Sequence, residues 1–553
     1  MSLVLDSDAF DHFEEFSAAG FSVPTFDPRE VRKKTAAAPS WVHFGAGNFF
    51  RSVHAVAAQA MLDAGHDTGI ILANLRDGKV VENSRRTDDL FVNVVMNPDG
   101  SIDPAVIASV TQSIQLASDD DADWERIAEI FEQPSLQLVS LTITEKGYQT
   151  TARSGEPLPE IARDAARGPA RNRTAIPALT SLLYTRFRAG GSPIALMSTD
   201  NFSENGARLA QAVHSIADLW VASGQVEDEF AEYVRHPQRV SYPSTMVDRI
   251  TPAPSAAVAE RLSERGLIGA DIRERSAGGP LASFSNTEDT CYLVVEDTFP
   301  NGRPPLELAG VLLGDRELVR RADRMKVCTC LNPLHTAMAV VGCLLGHTRI
   351  ADMMDDHDIR ALVEGIGRRE GLPVVDTPLG LDPEAFLNEV IELRLPNPGL
   401  PDTPQRIAAD TSQKLGIRFG ETIRRHLQAG DAHQLTFITF AIASWIRYLL
   451  GVDDGHESFE RSPDPLLAVL DQRLAGVSVG EPDSAREARE LLADESIFGV
   501  DLVSAGIAPA ILDHLSQMLT GVGAVRRRLH QLPSSLGFEA AAESSDTARS
   551  THS

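Results

Sequence analysis

Up to about residue 325, apolar positions fall into short continuous runs separated by longer helical stripes. WVHF (41–44), GIILANL (69–75), LQLVSLTIT (136–144), PIALMS (193–198) and CYLVVED (291–297) have the length and composition of buried strands. Between them, 48–64, 125–132, 174–188 and 204–223 carry apolar residues at helical spacing. Strands alternating with helices predict an α/β fold with a doubly wound parallel sheet. Beyond 325 the pattern changes. Segments 335–345, 358–369, 384–393, 404–428, 433–451 and 463–475 read as helices, and strand signals nearly vanish. The expected organisation is a polar N-terminal extension (1–39), with KKTAAAPS (33–40) as linker, and an α/β dinucleotide-binding domain (40–325). A mostly α-helical domain (326–532) and a disordered polar tail (533–553) follow.

The first strand runs into GAGNFFRSVH (45–54). Gly45-x-Gly47 lets a backbone approach a pyrophosphate, and the N-terminus of the next helix offers free N–H groups. Phe50 stands where a third glycine normally allows close helix–strand packing, so it must push the helix outward or fill a gap itself. Arg51 adds charge toward a phosphate. The second strand ends in Leu75-Arg76-Asp77, whose carboxylate suits a ribose 2′-hydroxyl. It lies 32 residues after Gly45, against a usual separation of about 20. Alone, this G-x-G fits an ordinary tight turn equally well.

Composition narrows the chemistry. A net charge of −27 without a basic stripe argues against nucleic acid and means that an anionic ligand needs locally placed cations. No run of 18 apolar residues and no signal-peptide pattern appear, which predicts a cytoplasmic protein without a membrane partner. Cys291, Cys328, Cys330 and Cys343 complete no metal set and read as buried structural thiols. Of the 51 basic residues only six are lysines: 33, 34, 79, 146, 326 and 414. Lysine, unlike arginine, can give up its proton when desolvated, so a lysine in an apolar segment stands out.

Lys326-Val-Cys-Thr-Cys-Leu-Asn332-Pro-Leu-His335 is such a segment. A lysine can exchange a proton with an alcohol, while an Asn amide and a His N–H hold the oxygen on which charge develops. Lys326 and His335 are nine residues apart, half a turn out of phase on a straight helix. They converge only if the helix is broken or bulged, with a π-bulge or a kink between Val327 and Pro333. A salt-bridged lysine on a linking helix is the bland alternative. Arg406, Asp410, Gln413 and Lys414 recur at helical spacings, either as a binding face or as a solvated one with an Asp410–Lys414 pair. Thr144-Glu-Lys146 and Ser198-Thr-Asp200-Asn201 follow strand ends, where open α/β sheets bind ligands.

Seven segments in order resemble the mannitol dehydrogenase family of polyol-specific long-chain dehydrogenases: GAGNFFRSVH, TITEKGY, STDNFSENG, STMVDRITP, VVEDTFPNGRP, KVCTCLNPLH and LPDTPQRIAADTSQK. The resemblance implies a Rossmann-type N-terminal domain, a helical C-terminal domain and metal-independent hydride transfer with NAD(H), NADP(H) being disfavoured by Asp77. Carried over, Lys326 is the general acid/base, with Asn332 and His335 polarising the reacting oxygen. Asn201, Asp248, Arg406 and Lys414 contact a small sugar or sugar acid. Gly45, Gly47, Phe49, Arg51, Asp77 and Thr144 bind the cofactor. The chain reads K-x5-N where relatives read K-x4-N, and Asp323 stands where they often carry Glu. The expected substrate pair is fructuronate and mannonate, with fructose and mannitol as the alternative. A uronate carboxylate calls for a cation such as Arg406, with Lys414 or another arginine beside it. A non-catalytic NAD-binding regulator is the reading from another class, and a hydrolase lacks its G-x-S-x-G elbow.

Overall fold

Eight strands open the fold: β1 (Trp41–Phe44), β2 (Ile70–Asn74), β3 (Phe91–Met96), β4 (Ile102–Ile107), β5 (Val110–Gln115), β6 (Leu138–Leu141), β7 (Ile194–Ser198) and β8 (Val240–Ser241). The computed structural model describes residues 2–116, 121–152, 154–276 and 278–534. They fall into two compact units, Met1–Asn97 with Ser101–Arg320, and Pro98–Gly100 with Arg321–Ser553. Six strands of the first unit form a parallel sheet in the order β5-β2-β1-β6-β7-β8. Trp41 of β1 lies opposite Ile70 on one side and Leu138 on the other.

Alternation of side chains along each strand divides the core into two layers. Val42, Phe44, Ile71, Val139, Leu141 and Leu196 join Ile127, Leu182 and Trp220 from the helices Asp121–Glu132, Ala175–Arg188 and Asn205–Ala222. Trp41, Ile70, Leu72, Leu138 and Met197 face the other way, toward Phe50, Val53 and Val295. With both faces covered, the strands read as unbroken apolar runs, which is why they were legible. CYLVVED is a strand, Tyr292–Glu296, but it pairs antiparallel with Thr245–Asp248 and parallel with Leu312–Gly314 in a separate sheet. The β3–β4 hairpin pairs with Phe284–Thr287 in another.

Inside the second layer, a polar chain runs across β1, β6 and β7. The Trp41 indole donates to Ser140 Oγ at 2.8 Å, and His43 bonds Ser140 Oγ at 2.7 Å and Thr142 Oγ1 at 2.9 Å. Thr199 Oγ1 gives its proton to Leu141 O at 3.1 Å, so it accepts from His54 Nε2 at 2.8 Å. Both imidazoles are buried, and their ring centres lie 4.2 Å apart. Burial holds His43 well below 6.5 and His54 down to about 3.

The N-terminal extension is folded. Pro28–Ala37 is a helix, started by the Asp27 side chain accepting from Arg29 N and by Pro28 in its first turn. KKTAAAPS is therefore no linker: Thr35 is buried, and its hydroxyl accepts from Gly69 N at 2.8 Å. Leu3, Leu5, Phe16 and Phe21 are buried as well. The tail expected from 533 lies, from 535 onward, outside the described residues.

In the second unit the helices Asn332–Leu344 and Phe437–Leu449 form the apolar centre. Glu370, itself buried, accepts from Thr436 N, Phe437 N and Ile438 N at 2.5, 2.8 and 2.7 Å, closing the open first turn of the latter helix. Burial nevertheless pushes its carboxyl up to about 7. Segment 404–428 is not one helix. Asp410, at φ +53°, breaks it into Pro404–Ile407, Thr411–Gln413, Leu415–Arg418 and Gly420–Ala429. Among the described residues the last named strand ends at Gly314. One helical stretch there, Arg316–Leu344, has the length and hydropathy of a membrane span, and 83% of its apolar window is buried inside the protein.

His54 sets a pH dependence. In the folded state it stays neutral down to about 3, whereas in the unfolded chain it protonates near 6.5. The unfolded state then binds more protons over this window, so stability falls as pH drops below 6.5. The expected loss is about 2 kcal/mol by pH 5. Chemical denaturation of wild type and His54→Gln at pH 7 and pH 5 measures it: the wild type should lose that much more than the variant. Equal losses would sink the assignment.

Candidate active site

Gly45 has φ +124°, and a Cβ there would lie 2.4 Å from Thr142 O, so no other residue fits. A Cβ at Gly47 would meet nothing within 4 Å. The loop thus turns sharply against β6 and leaves an open cradle. It borders a cleft of about 360 Å³, lined by Gly45–Gly47, the β2 end Asn74–Asp77, Thr142–Thr144 and Lys146, with Arg173 and Arg275 from distant segments. The cleft sits at the carboxyl ends of the central strands, where a doubly wound sheet binds its ligand. A dinucleotide fits these residues: bare glycine backbone for a pyrophosphate, and a carboxylate at the β2 end for a ribose.

Asp77 is fixed in place by two backbone amides, Lys79 N at 3.1 Å and Ser276 N at 2.7 Å. The first makes it the N-cap of the helix Gly78–Arg86. Thr144 lines the cleft in a strained backbone conformation, φ +66°. Asp200 holds it there, accepting from Ile143 N at 2.8 Å, Thr144 N at 3.0 Å and the Tyr148 hydroxyl at 2.6 Å. Burial raises the Asp200 carboxyl above 3.8. Thr142 and Arg275 escaped sequence reading because only the folded chain brings them to the loop, while Asp200, read as a strand-end residue, serves to hold Thr144.

Phe50 fills the third-glycine position through a widened turn: Phe50–Ala55 is π-helical. Its ring is buried and stacks on His43, with centres 4.6 Å apart. Arg51 does not line the cleft. Its guanidinium is buried over Phe91 and donates to Ala282 O at 2.6 Å, and burial pushes its pKa down to about 10. Phe49 likewise packs against the apolar layer, 6.0 Å from the His54 ring. Both act as supports behind the loop.

In the second unit, Lys326–Cys330 is also π-helical, with Leu331 N donating to Lys326 O at 3.1 Å. Leu331 (φ −131°, ψ −63°) ends the wide turn, and Asn332 begins a new helix with Pro333 in its first turn, where no N–H is needed. A π-turn absorbs one residue, so the nine steps from Lys326 to His335 act as eight, bringing the two from opposite sides to within about 80° around the axis. The bulge expected from the extra residue is present. Lys326 is buried, 2% exposed, and Asn332 and His335 are partly exposed. Asp323 is partly buried one turn before Lys326. Burial pushes the Cys328, Cys330 and Cys343 thiols up to about 12, while Cys291, expected to be buried, is exposed.

The expected substrate residues are placed unequally. Asn201 is exposed in the loop after β7, and Asp248 is buried at the end of Thr245–Asp248. Arg406 is exposed and pairs with Asp402. Lys414 is half-buried, its Nζ donating to Ile407 O at 3.3 Å and to Ala409 O, not to Asp410. Sequence reading passed over Arg418, whose guanidinium bonds the Thr336 hydroxyl of the lysine-bearing segment's second helix.

The wide turn leaves a carbonyl to satisfy. Pro333, five residues beyond Cys328, has no N–H for Cys328 O, and the buried Thr422 hydroxyl donates to it at 3.0 Å. Thr422→Val keeps the shape and removes the donor. Its unfolding free energy should fall by about 1–3 kcal/mol in denaturant titration; an unchanged midpoint would show that the turn closes without it.

Residues 39–308 match the mannitol dehydrogenase Rossmann domain and 320–519 the mannitol dehydrogenase C-terminal domain. The chain is 45% identical to a D-mannonate oxidoreductase of Thermotoga maritima, over 93% of this chain and 96% of that protein. It is 30% identical to the Escherichia coli D-mannonate oxidoreductase, over 84% and 92%. Among solved structures, it resembles the Pseudomonas fluorescens mannitol 2-dehydrogenase ternary complex with NAD and D-mannitol. The TM-score is 0.69 and the identity 26%, over 96% of this chain and all of that one (100%). From the glycine loop to the lysine turn, this chain belongs to the mannitol dehydrogenase family.

Proposed function

We propose that this chain is an NAD(H)-dependent oxidoreductase that interconverts D-fructuronate and D-mannonate. The observation that carries the chemistry is the buried Lys326 on a π-turn that brings it to within about 80° of His335 around the helix axis. The substrate reading rests on the similarity to the Thermotoga maritima D-mannonate oxidoreductase over nearly the whole chain.

NADH, when bound, supplies the hydride. The chain's part is to hold the ketone oxygen and to manage one proton. Asn332 and His335 donate hydrogen bonds to that oxygen, which stabilises the negative charge it acquires as the carbonyl carbon is reduced. Lys326 gives the oxygen its proton and takes it back in the direction of alcohol oxidation. Gly45 and Gly47 bring backbone N–H groups to the pyrophosphate, and Asp77 receives the adenosine ribose and repels a 2′-phosphate. Arg76 and Arg275 line the same cleft and favour such a phosphate, and a relative from Gluconobacter oxydans is named a polyol:NADP oxidoreductase. We weigh the Asp77 carboxylate, fixed at the β2 end by two backbone amides, above them because its charge repels a 2′-phosphate. The protein is placed in the cytoplasm, with a small-molecule substrate and no nucleic-acid or membrane partner.

Two measurements test this. Lys326→Ala should lower kcat by about 10²–10⁴-fold while NADH binding, followed by nicotinamide fluorescence, stays within threefold; turnover within tenfold of wild type would remove Lys326 from its role. Wild-type enzyme given D-fructuronate and D-fructose, each with NADH and NADPH, should turn over fructuronate with NADH fastest. Faster fructose reduction would make the chain a mannitol 2-dehydrogenase instead.

A further inference from the structure

Arg418 ends the short helix Leu415–Arg418 in the second unit. Burial pushes its pKa down to about 10, so the surroundings do not welcome its charge. Its NH1 donates to Thr336 Oγ1, and among the described residues no carboxylate pairs with it. Among the described residues its other guanidinium nitrogens have no hydrogen-bond partner, yet they are not among the sealed unsatisfied atoms, so they open to solvent-reached space.

Two other enclosed arginines of the chain spend their donors differently. Arg186 directs five hydrogen bonds to the carbonyls of Ser192, Phe131, Gln133, Leu136 and Pro193. Arg425 pairs with Asp376 and Glu421. Arg418 alone of these three keeps most of its donors unspent. A helix C-terminus favours a cation modestly, but that effect needs no fixed contact to Thr336.

The contact places the charge. Asn332, His335 and Thr336 stand at i, i+3 and i+4, one face of one helix. The Thr336 hydroxyl also bonds Asn332 O at 3.0 Å. Arg418 is therefore fixed on the face that carries the two groups assigned to the reacting oxygen. Lys414 lies one turn before Arg418, whose charge, after burial, helps to lower the Lys414 pKa. Asp410 and Asp464 temper Lys414, and Asp464 is held by Ser412 N and Oγ at 2.8 and 2.5 Å. Arg406, the cation first expected here, is exposed and already paired with Asp402.

We propose that Arg418 is the residue that recognises the substrate's carboxylate, through the free edge of its guanidinium and with Lys414 beside it, and so sets preference for a keto-uronate over a neutral ketose. A planar guanidinium with spare parallel N–H donors matches a carboxylate bidentately. A neutral ketose returns nothing for the charge held out of water. The inference rests on the fructuronate reading above.

The test is the ratio of kcat/KM for D-fructuronate to that for D-fructose, with NADH, in wild type, Arg418→Met and Arg418→Lys. Arg418→Met should lower the ratio about 100-fold, chiefly through KM for fructuronate, and Arg418→Lys by less than tenfold because a charge remains. D-Gluconate, a carboxylate-bearing probe, should compete with fructuronate in the wild type and about fivefold more weakly in Arg418→Lys, a readout that survives if Arg418→Met does not fold. A wild type that prefers fructose overturns the substrate reading. A wild type that prefers fructuronate, with that preference intact within threefold in Arg418→Met or with gluconate inhibition unchanged in Arg418→Lys, overturns the assignment of Arg418 alone.

Discussion

An α-helix advances about 100° per residue, so one additional residue rotates everything beyond it unless a turn widens to hold it. This chain meets that constraint at both of its chemical segments. At Phe50–Ala55 the wide turn lets an aromatic ring occupy a place built for a glycine. At Lys326–Cys330 it takes up one residue of the longer spacing and turns Lys326 toward the side of His335. Each wide turn must be supported from outside, since it gives up regular hydrogen bonds. His43 stacks under the first, and Thr422 bonds a carbonyl of the second.

The support for the glycine loop explains why polar residues sit so deep in the first unit. His43 and His54 are neutral and enclosed, at a free-energy cost that only hydrogen bonds to Ser140, Thr142 and Thr199 can offset. Those three residues belong to β6, β7 and the loops just beyond them. The same contacts that settle the histidines therefore fix the strand ends bordering the cleft. Thr142 does both jobs: its hydroxyl bonds His43, and its carbonyl closes the space where a Cβ on Gly45 would stand.

What the sequence revealed follows from what is local in it. Strands buried on both faces, helices with an apolar stripe and the glycine pair are visible as runs and spacings, and they were read nearly to the residue. Trp41–Phe44 and Ile194–Ser198 are examples. The Lys326 bulge was legible because a spacing conflict has few physical solutions. The failures are non-local or polar. KKTAAAPS (33–40) looked like a linker because alanine and lysine reveal no stripe, although Asp27-Pro28 starts a helix that runs to Ala37. The break at Asp410 depends on a left-handed residue that no apolar period records. Arg51 and Arg406 carried the charge a ligand needs, but one is spent on Ala282 O and the other on Asp402. No spacing tells a used arginine from an unused one.

Charge placement joins these observations. The chain carries a net −27, so an anionic ligand is repelled at long range and gains only from cations within contact distance. Surface arginines cannot supply that, because most of them lie beside the carboxylates that make the net charge negative; Arg29–Asp11, Arg235–Asp218 and Arg461–Asp471 are typical. A usable cation must instead be withdrawn from carboxylates and water alike, which lowers its pKa and raises the value of any anion that reaches it. Lysine risks losing its proton under those conditions, whereas arginine at about 10 remains charged at neutral pH. The division of labour follows from that difference. On the proposed reading, Lys326 serves where a proton must move, and Arg418 where a charge must persist.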